Sequence, residues 1–283
     1  MRPCCLTIAG SDSGGNAGIQ ADLRAFHAYG LHGCTVLAAL TAQNPHGVSA
    51  IHGVPPDFVA AQLDAVLGAY SIASLKTGML ADPAVVDVVA DRLAAHPGVF
   101  KVIDPVMVAT SGARLVGDAA VEAIRKRLLP LATVMTPNVP EAEALSGMAL
   151  RRREDVREAA RRLSGTFGCA VLVKGGHAVD DSGLAVDTLF DGEEFFAASM
   201  PVVENPVSTH GTGCSLAAAL AAELALGRSL KTAVEGAKAY VHKAISSSYE
   251  VGGNCGVLGF VEGFAADWGA AGSPGRQSTG ADL

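Results

Sequence analysis

The chain has 283 residues, of which 49 % are apolar and only 5 % aromatic, and it carries a formal net charge of −7. That balance excludes nucleic-acid recognition through a broad basic surface, and the absence of any apolar run of about 18 residues excludes a membrane-spanning helix. The apolar share suffices for a core of Ala, Val and Leu, and the length suits one α/β domain over residues 1–264.

Short β-rich runs alternate with helical patterns along the chain. Cys5 to Ala9 reads as a strand, a Gly-rich loop follows, and Ile19 to Tyr29 reads as a helix closed by Gly30. Cys34 to Leu40 is the next strand. Pro56 to Ala69 is a helix with Phe58, Leu63 and Leu67 on its apolar side. Ser74 to Thr77, Val99 to Asp104, Thr133 to Thr136 and Ala170 to Lys174 read as strands. Helices are expected at Pro83 to Ala95, Ala119 to Leu129, Pro140 to Leu145 and Asp155 to Ser164. Leu184 to Phe190 and Glu193 to Met200 flank Asp191-Gly192, a hairpin signal. Two helices follow, Thr212 to Leu226 and Leu230 to about Ser247, and the small and polar residues over 265–283 predict a disordered tail.

This alternation predicts an α/β fold, a mostly parallel sheet with helices on both faces and an antiparallel hairpin at one end. The Arg151–Arg153 cluster, with Arg157, Arg161 and Arg162, is interleaved with Glu154, Asp155 and Glu158 and reads as a solvated helix face. Six cysteines without a Cys-x-x-Cys pair, and no signal peptide after Met1-Arg2-Pro3, predict reduced thiols in the cytoplasm.

Ligands of such sheets bind beyond the carboxyl ends of the strands. The first loop there runs from Gly10 through Ala17 and Gly18, with Asp22 in the helix that follows. Its glycines allow close backbone approach, although the spacing is neither a Walker A loop nor Gly-x-Gly-x-x-Gly. Asp22 is positioned either to accept from a substrate hydroxyl or to face the helix dipole. Gln43 offers one acceptor and two donors on a flat group, matching the edge of an aminopyrimidine. Met79 is a core residue or a platform for a planar ring.

Asp104 ends one strand, and Asn138 and Glu141 follow another. Two carboxylates facing one cleft suit Mg²⁺, which binds through one or two such groups plus waters and phosphate oxygens. Lys174 is placed to hold a phosphate as a point charge; His177, two glycines on, is ambiguous.

Most specific is His210-Gly211-Thr212-Gly213-Cys214, leading into an alanine-rich helix. Small residues at a helix start leave amides unpaired, and with the helix dipole they form an anion hole. That field is expected to lower the Cys214 thiol pKa, so that it can take a proton from a substrate hydroxyl. The other cysteines lack such a setting and read as structural.

Taken together these segments resemble the bifunctional hydroxymethylpyrimidine/phosphomethylpyrimidine kinases of the ribokinase-like superfamily. The likeness rests on Ala9–Ser13 with Ala17–Leu23, Thr41–Asn44, Asp104–Met107, Thr136–Asn138 with Glu141, Lys174–His177 and His210–Cys214, and it runs from about Leu6 to Phe260. It implies a three-layer α/β/α fold, ATP and Mg²⁺ as cofactors, and a homodimer. It implies that Gln43 reads the pyrimidine and that Gly10, Ala17, Asp22, Met79 and Val106 shape its pocket. Gly211, Thr212 and Gly213 would form the anion hole, Cys214 the base, and Asn138, Glu141 and Lys174 the ATP-Mg site, with Glu141 and Asp104 toward the metal. Sugar kinases of the superfamily usually carry Asp where Cys214 stands. Many relatives carry Lys within the stretch that here reads Ala109-Thr110-Ser111-Gly112. The activity implied is two successive transfers from ATP, onto 4-amino-5-hydroxymethyl-2-methylpyrimidine and then onto its monophosphate, in thiamin biosynthesis. Pyridoxal kinase, a Cys-nucleophile hydrolase and a non-catalytic nucleotide-binding module are the rivals.

Overall fold

Among the described residues, nine strands form one sheet in the order β3-β2-β1-β4-β5-β6-β7-β8-β9. The structure is a computed structural model that describes residues 2–107, 116–175, 183–259 and 261–264. The Ala109–Gly112 stretch, His177 and the expected tail over 265–283 lie outside the described residues.

The strands are β1 (Cys4–Asp12), β2 (His32–Asn44), β3 (Gly47–Gly53), β4 (Ile72–Thr77), β5 (Phe100–Ile103), β6 (Val134–Met135), β7 (Ala170–Val173), β8 (Leu184–Phe190) and β9 (Phe195–Pro201). β1, β2, β4, β5, β6 and β7 run parallel to their neighbours within that set. β1 sits near the middle and is buried along almost its whole length. Covered on both faces, it cannot alternate apolar with polar, so it reads as one apolar run.

The helices are α1 (Gly18–Ala28), α2 (Pro56–Ala69), α3 (Pro83–Ala94), α4 (Asp118–Ala123), α5 (Val139–Ser146), α6 (Arg153–Phe167), α7 (Thr212–Ala225) and α8 (Leu230–Ser246). One buried cluster packs α2 to α6 against a face of the sheet, with Val59, Leu63, Val86, Leu93, Ala159 and Leu163. A second packs α1, α7 and α8 against the other, with Phe26, Leu220, Val234 and Tyr240. These are the three layers expected. Each fully buried Val, Leu or Phe contributes on the order of 1.5–3 kcal/mol.

Local signals explain several boundaries. Asp82 caps α3 by accepting from the Ala84 amide, with Pro83 in the first turn where its missing N–H costs nothing. Gly147 and Gly168 close α5 and α6 at φ of 70°, the left-handed geometry that glycine adopts freely.

Three expectations need correction. The antiparallel pairing is at both ends of the sheet: β7-β8-β9 holds the expected hairpin, and β3 also pairs antiparallel with β2. β3 is mostly exposed, an edge strand without the alternation that marks a half-buried one. The helix expected from Ala119 to Leu129 is α4 followed by a π turn (Ile124–Leu128) and a 3₁₀ turn (Leu129–Leu131), where Pro130 supplies no N–H. Phe58 is 60 % exposed while Val59 and Leu63 face the core. Among the described residues, no helix is long and apolar enough to cross a membrane.

Candidate active site

The carboxyl ends of β1, β2, β4, β5, β6 and β7 meet the start of α7 around a cavity of about 140 Å³. The loop after β1 forms one wall, and Asp12 organises it. Its carboxylate accepts from the Gly14, Asn16 and Ala17 amides at 2.8, 2.9 and 2.9 Å. Burial pushes the Asp12 pKa up, yet His210 and those three amides outweigh it and hold the carboxyl below its ordinary value. Two glycines let the loop close. Gly18 has φ 57°, and a Cβ there would strike the Gly10 carbonyl. Gly211 has φ 90°, and a Cβ there would strike the Asn16 carbonyl. No other residue type fits either position without moving the backbone.

Gln43 is tied to this loop: its backbone amide donates to Ser13 Oγ at 2.8 Å, and Ser13 Oγ donates to its carbonyl at 2.8 Å. Its Oε1 accepts from Thr41 Oγ1 at 3.2 Å, and its Nε2 lies 3.4 Å from His210 Nε2. His210 Nε2 is also 3.8 Å from Asp12 Oδ2. Sequence reading placed no orienting acid beside His210; Asp12 is one, supplied by a distant loop. The His210 ring nitrogen is thereby turned toward Asp12 and Gln43.

The opposite wall is charged. Lys174 Nζ donates to Asp104 Oδ1 at 2.7 Å, and Thr136 Oγ1 donates to the same oxygen at 2.9 Å. Glu141 lies beside them and forms a capping box with Asn138: Glu141 Oε2 accepts from the Asn138 amide, and Asn138 Oδ1 accepts from the Glu141 amide. Its other oxygen accepts from the Met107 amide at 3.3 Å. Burial raises the Glu141 pKa, Lys174 pulls it back and Asp104 raises it again. Burial pulls the Lys174 pKa down, but Asp104 and Glu141 more than restore it, so it stays an ammonium.

α7 begins between these walls. Its N-cap, Gly211, has no side chain to cap the first amides, so the helix start is open to an anion. A Cβ on Gly213 would lie 3.5 Å from Lys174 Nζ, which places the ammonium against the same turn. From Ser215 to Leu224 α7 is buried, so its orientation is fixed by packing.

Twelve of the fourteen residues expected at the site line this cavity: Gly10, Ala17, Gln43, Met79, Asp104, Val106, Asn138, Glu141, Lys174, Gly211, Gly213 and Cys214. Thr212 does not; it opens the helix, and its amide points back at the Thr209 carbonyl, 3.4 Å away. Asp22 does not either. It is fully buried, one turn beyond the helix start, and bonds Lys76 Nζ at 3.0 and 2.9 Å and Thr7 Oγ1. Substrate cannot reach it. Lys76, which sequence reading passed over, forms part of the cavity floor in its place. Asp12 was missed too, although Asp12 in Ser11-Asp12-Ser13-Gly14 carries the signature of a side chain that folds its own loop, and His210 was named in its motif without a place in the pocket.

The expected direction of the Cys214 pKa is overturned. Burial pushes the thiol up, Lys76 pulls it down, and Asp22 and Asp104 push it up again. The Gly18 amide also lowers it, but the net direction is upward, so the resting group is a thiol.

The chain matches the family model "Phosphomethylpyrimidine kinase" over residues 12–259. It is 46 % identical over 257 residues to the hydroxymethylpyrimidine/phosphomethylpyrimidine kinase of Synechococcus elongatus, covering 91 % of this chain and 97 % of that one. It is 48 % identical over 251 residues to the thiamine biosynthesis bifunctional protein ThiED of Geobacter sulfurreducens, covering 89 % of this chain but only 51 % of that longer protein. Its fold matches an ADP complex of Bacillus subtilis pyridoxal kinase with a TM-score of 0.85 and 35 % identity, covering 92 % of this chain and 98 % of the other.

Proposed function

Because the chain belongs to the phosphomethylpyrimidine kinase family, we propose that it moves phosphate from ATP onto 4-amino-5-hydroxymethyl-2-methylpyrimidine and then onto the resulting monophosphate. The product diphosphate serves thiamin biosynthesis; the six free thiols accord with a reducing cytoplasm, and a homodimer is part of the same proposal. The observation that carries this reading is one cavity in which Gln43, the open start of α7 and the Lys174 ammonium converge. That is a ring reader, an anion seat and a phosphate clamp within reach of one small molecule.

Gln43 is held by Thr41 and His210, so its amide is oriented before the ring arrives. Pairing with the ring is selective because an unpaired buried polar group costs about 1–3 kcal/mol. Gly10 lets Met79 pack directly against the β1 backbone, since a Cβ there would meet Met79 Cε at 2.8 Å, and the two give the cavity an apolar wall for a planar ring. The amides of Gly211 and Gly213 and the Lys174 ammonium gather the charge that spreads over the transferring phosphoryl group.

Asp104 and Glu141 fit Mg²⁺: both are hard oxygen donors and both line the cavity beside the phosphate seat. The ion would neutralise developing charge on the phosphates. Cys214 faces the position of the acceptor hydroxyl. To accept its proton the thiol must first lose its own, and Lys76 is the buried cation that favours that loss. The monophosphate attacks as an oxyanion and needs no such help.

The likeness to pyridoxal kinase favours one second reading, a pyridoxal acceptor in the same slot. The deciding experiment is an ATP-dependent assay with both alcohols. Turnover on the pyrimidine alcohol at a kcat/KM well above that on pyridoxal is expected; the reverse ranking would overturn the assignment. ATP binding without turnover of either would leave only a nucleotide-binding module. A covalent adduct on Cys214 would revive the hydrolase, but His210 is turned toward Asp12 and Gln43.

A further inference from the structure

At the amino ends of the strands, opposite the cavity, Cys4 opens β1 while His32 and Cys34 open β2. The parallel register pairs Cys4 with His32 and Leu6 with Cys34. Residues two apart in a strand share a face, so Cys4, His32 and Cys34 project to one side. Their ligand atoms all lie within 4.8 Å of one another, and the two sulfurs are 3.5 Å apart. Two Zn–S bonds of about 2.3 Å at a tetrahedral angle hold sulfurs about 3.8 Å apart. A disulfide would draw them to about 2.05 Å, whereas the thiol–thiol contact seen here lies within a few tenths of an ångström of the separation a shared cation needs.

We propose that Cys4, His32 and Cys34 bind Zn²⁺, with solvent filling the fourth position. The thiols are 7 % and 8 % exposed, and His32 is exposed, so the imidazole is the side from which an ion enters. The His32 ring is stacked on Tyr70, with centroids 5.6 Å apart and 18° between planes, which limits its orientations. Binding releases the two thiol protons to solvent and leaves the imidazole neutral. Zn²⁺ with two thiolates carries no net charge, the state least costly to bury. Among the described residues, Cys4, His32 and Cys34 are the one group of three such side chains so placed. Cys5, by contrast, donates to the Ala221 carbonyl.

The test uses the untagged full chain, reduced and stripped of metal by a chelator, then titrated with Co²⁺. One Co²⁺ per chain with sulfur-to-cobalt charge-transfer absorption is expected, displaced by Zn²⁺. Zn²⁺ affinity, read by competition with a chromophoric chelator, falls in Cys34→Ala by more than the roughly 10–100-fold typical of outer-shell changes. His32→Ala, a surface change, weakens it less and serves as the variant certain to fold. Kinase turnover of both variants stays at the wild-type level, since Cys4 lies about 26 Å along β1 from Asp12. Absence of thiolate absorption in the wild type sinks the proposal. So does unchanged affinity in both variants, which would put the ion elsewhere, for instance at Cys255 and His46, 3.6 Å apart. The kinase reading stands or falls separately, on the acceptor assay.

Discussion

Lys76–Asp22 and Lys174–Asp104 are chemically the same pair, at 2.9 and 2.7 Å, on the carboxyl ends of β4 and β7. They differ in access. Neither side chain of the first is exposed, whereas Lys174 keeps 13 % of its side-chain surface. Lys76 gives hydrogens to both oxygens of Asp22, and Thr7 gives a third. Such a closed set is framework. Lys174 shares a single oxygen of Asp104 with Thr136 and faces the start of α7. An ammonium in that position is available to a ligand. Burial, not residue type, decides which ammonium a ligand can reach; Lys76 acts on the site only through its charge beside Cys214.

Breaking each pair should expose the difference. The largest effect is expected from Lys76→Met, which strands a fully buried carboxylate; losing one partner of such a pair costs about 3–5 kcal/mol. Urea denaturation should show the midpoint fall with little change in slope, and adding Asp22→Asn should recover much of the loss. No recovery would mean that Lys76 acts on something other than Asp22. Lys174→Met comes next and should leave the chain folded. Both transfers should slow by about 10²–10³, as when one stabilising donor is removed from a transition state. Single-turnover rates with labelled ATP read this directly. A change in KM for ATP alone would demote Lys174 to a binding group.

The smallest and most selective effect concerns Cys214, which feels both lysines. Cys214→Ala should slow the first transfer by about 10² or more, the usual scale of general-base loss, and leave the second within a few-fold. The sign of the pH dependence follows from the raised thiol pKa. Below that pKa the thiolate is scarce, so the first rate should climb with pH through and beyond the ordinary thiol range while the second does not. Equal slopes for the two steps would exclude the thiol as base.

Much of this was legible in the sequence, and the failures have physical causes. The parallel strands and most helices follow from apolar runs and caps that act over a few residues, such as Asp82-Pro83 before α3 and Asn138 with Glu141 at α5. The loops that bear Gly10, Gln43, Asp104, Lys174 and Cys214 were found because strand ends are where such sheets bind ligands. What escaped depends on partners distant in the chain. Asp22 meets Lys76 only once β1, α1 and β4 are packed, and this turned an expected substrate contact into a buried counter-ion. The Cys214 pKa was misjudged for the same reason: the helix start is local, but the burial that raises the thiol, and after it the carboxylates of Asp22 and Asp104, come from packing. β3 was invisible because an edge strand with both faces wet has no period to read, and Phe58 misled because one helical position separates it from buried Val59. The Cys4, His32 and Cys34 cluster has no sequence signature, since strand register alone assembles it.

The contact between Gly211 and the Asn16 carbonyl has a consequence for binding. It welds the loop that shapes the ring slot to the helix that seats the anion, so the two halves of the jaw cannot drift apart between turnovers. The conformational entropy of aligning them is incurred when the chain folds rather than when substrate arrives, and preorganisation of this kind appears as tighter binding. A side chain at position 211 would loosen both halves together, however far the acceptor ring lies from the phosphate.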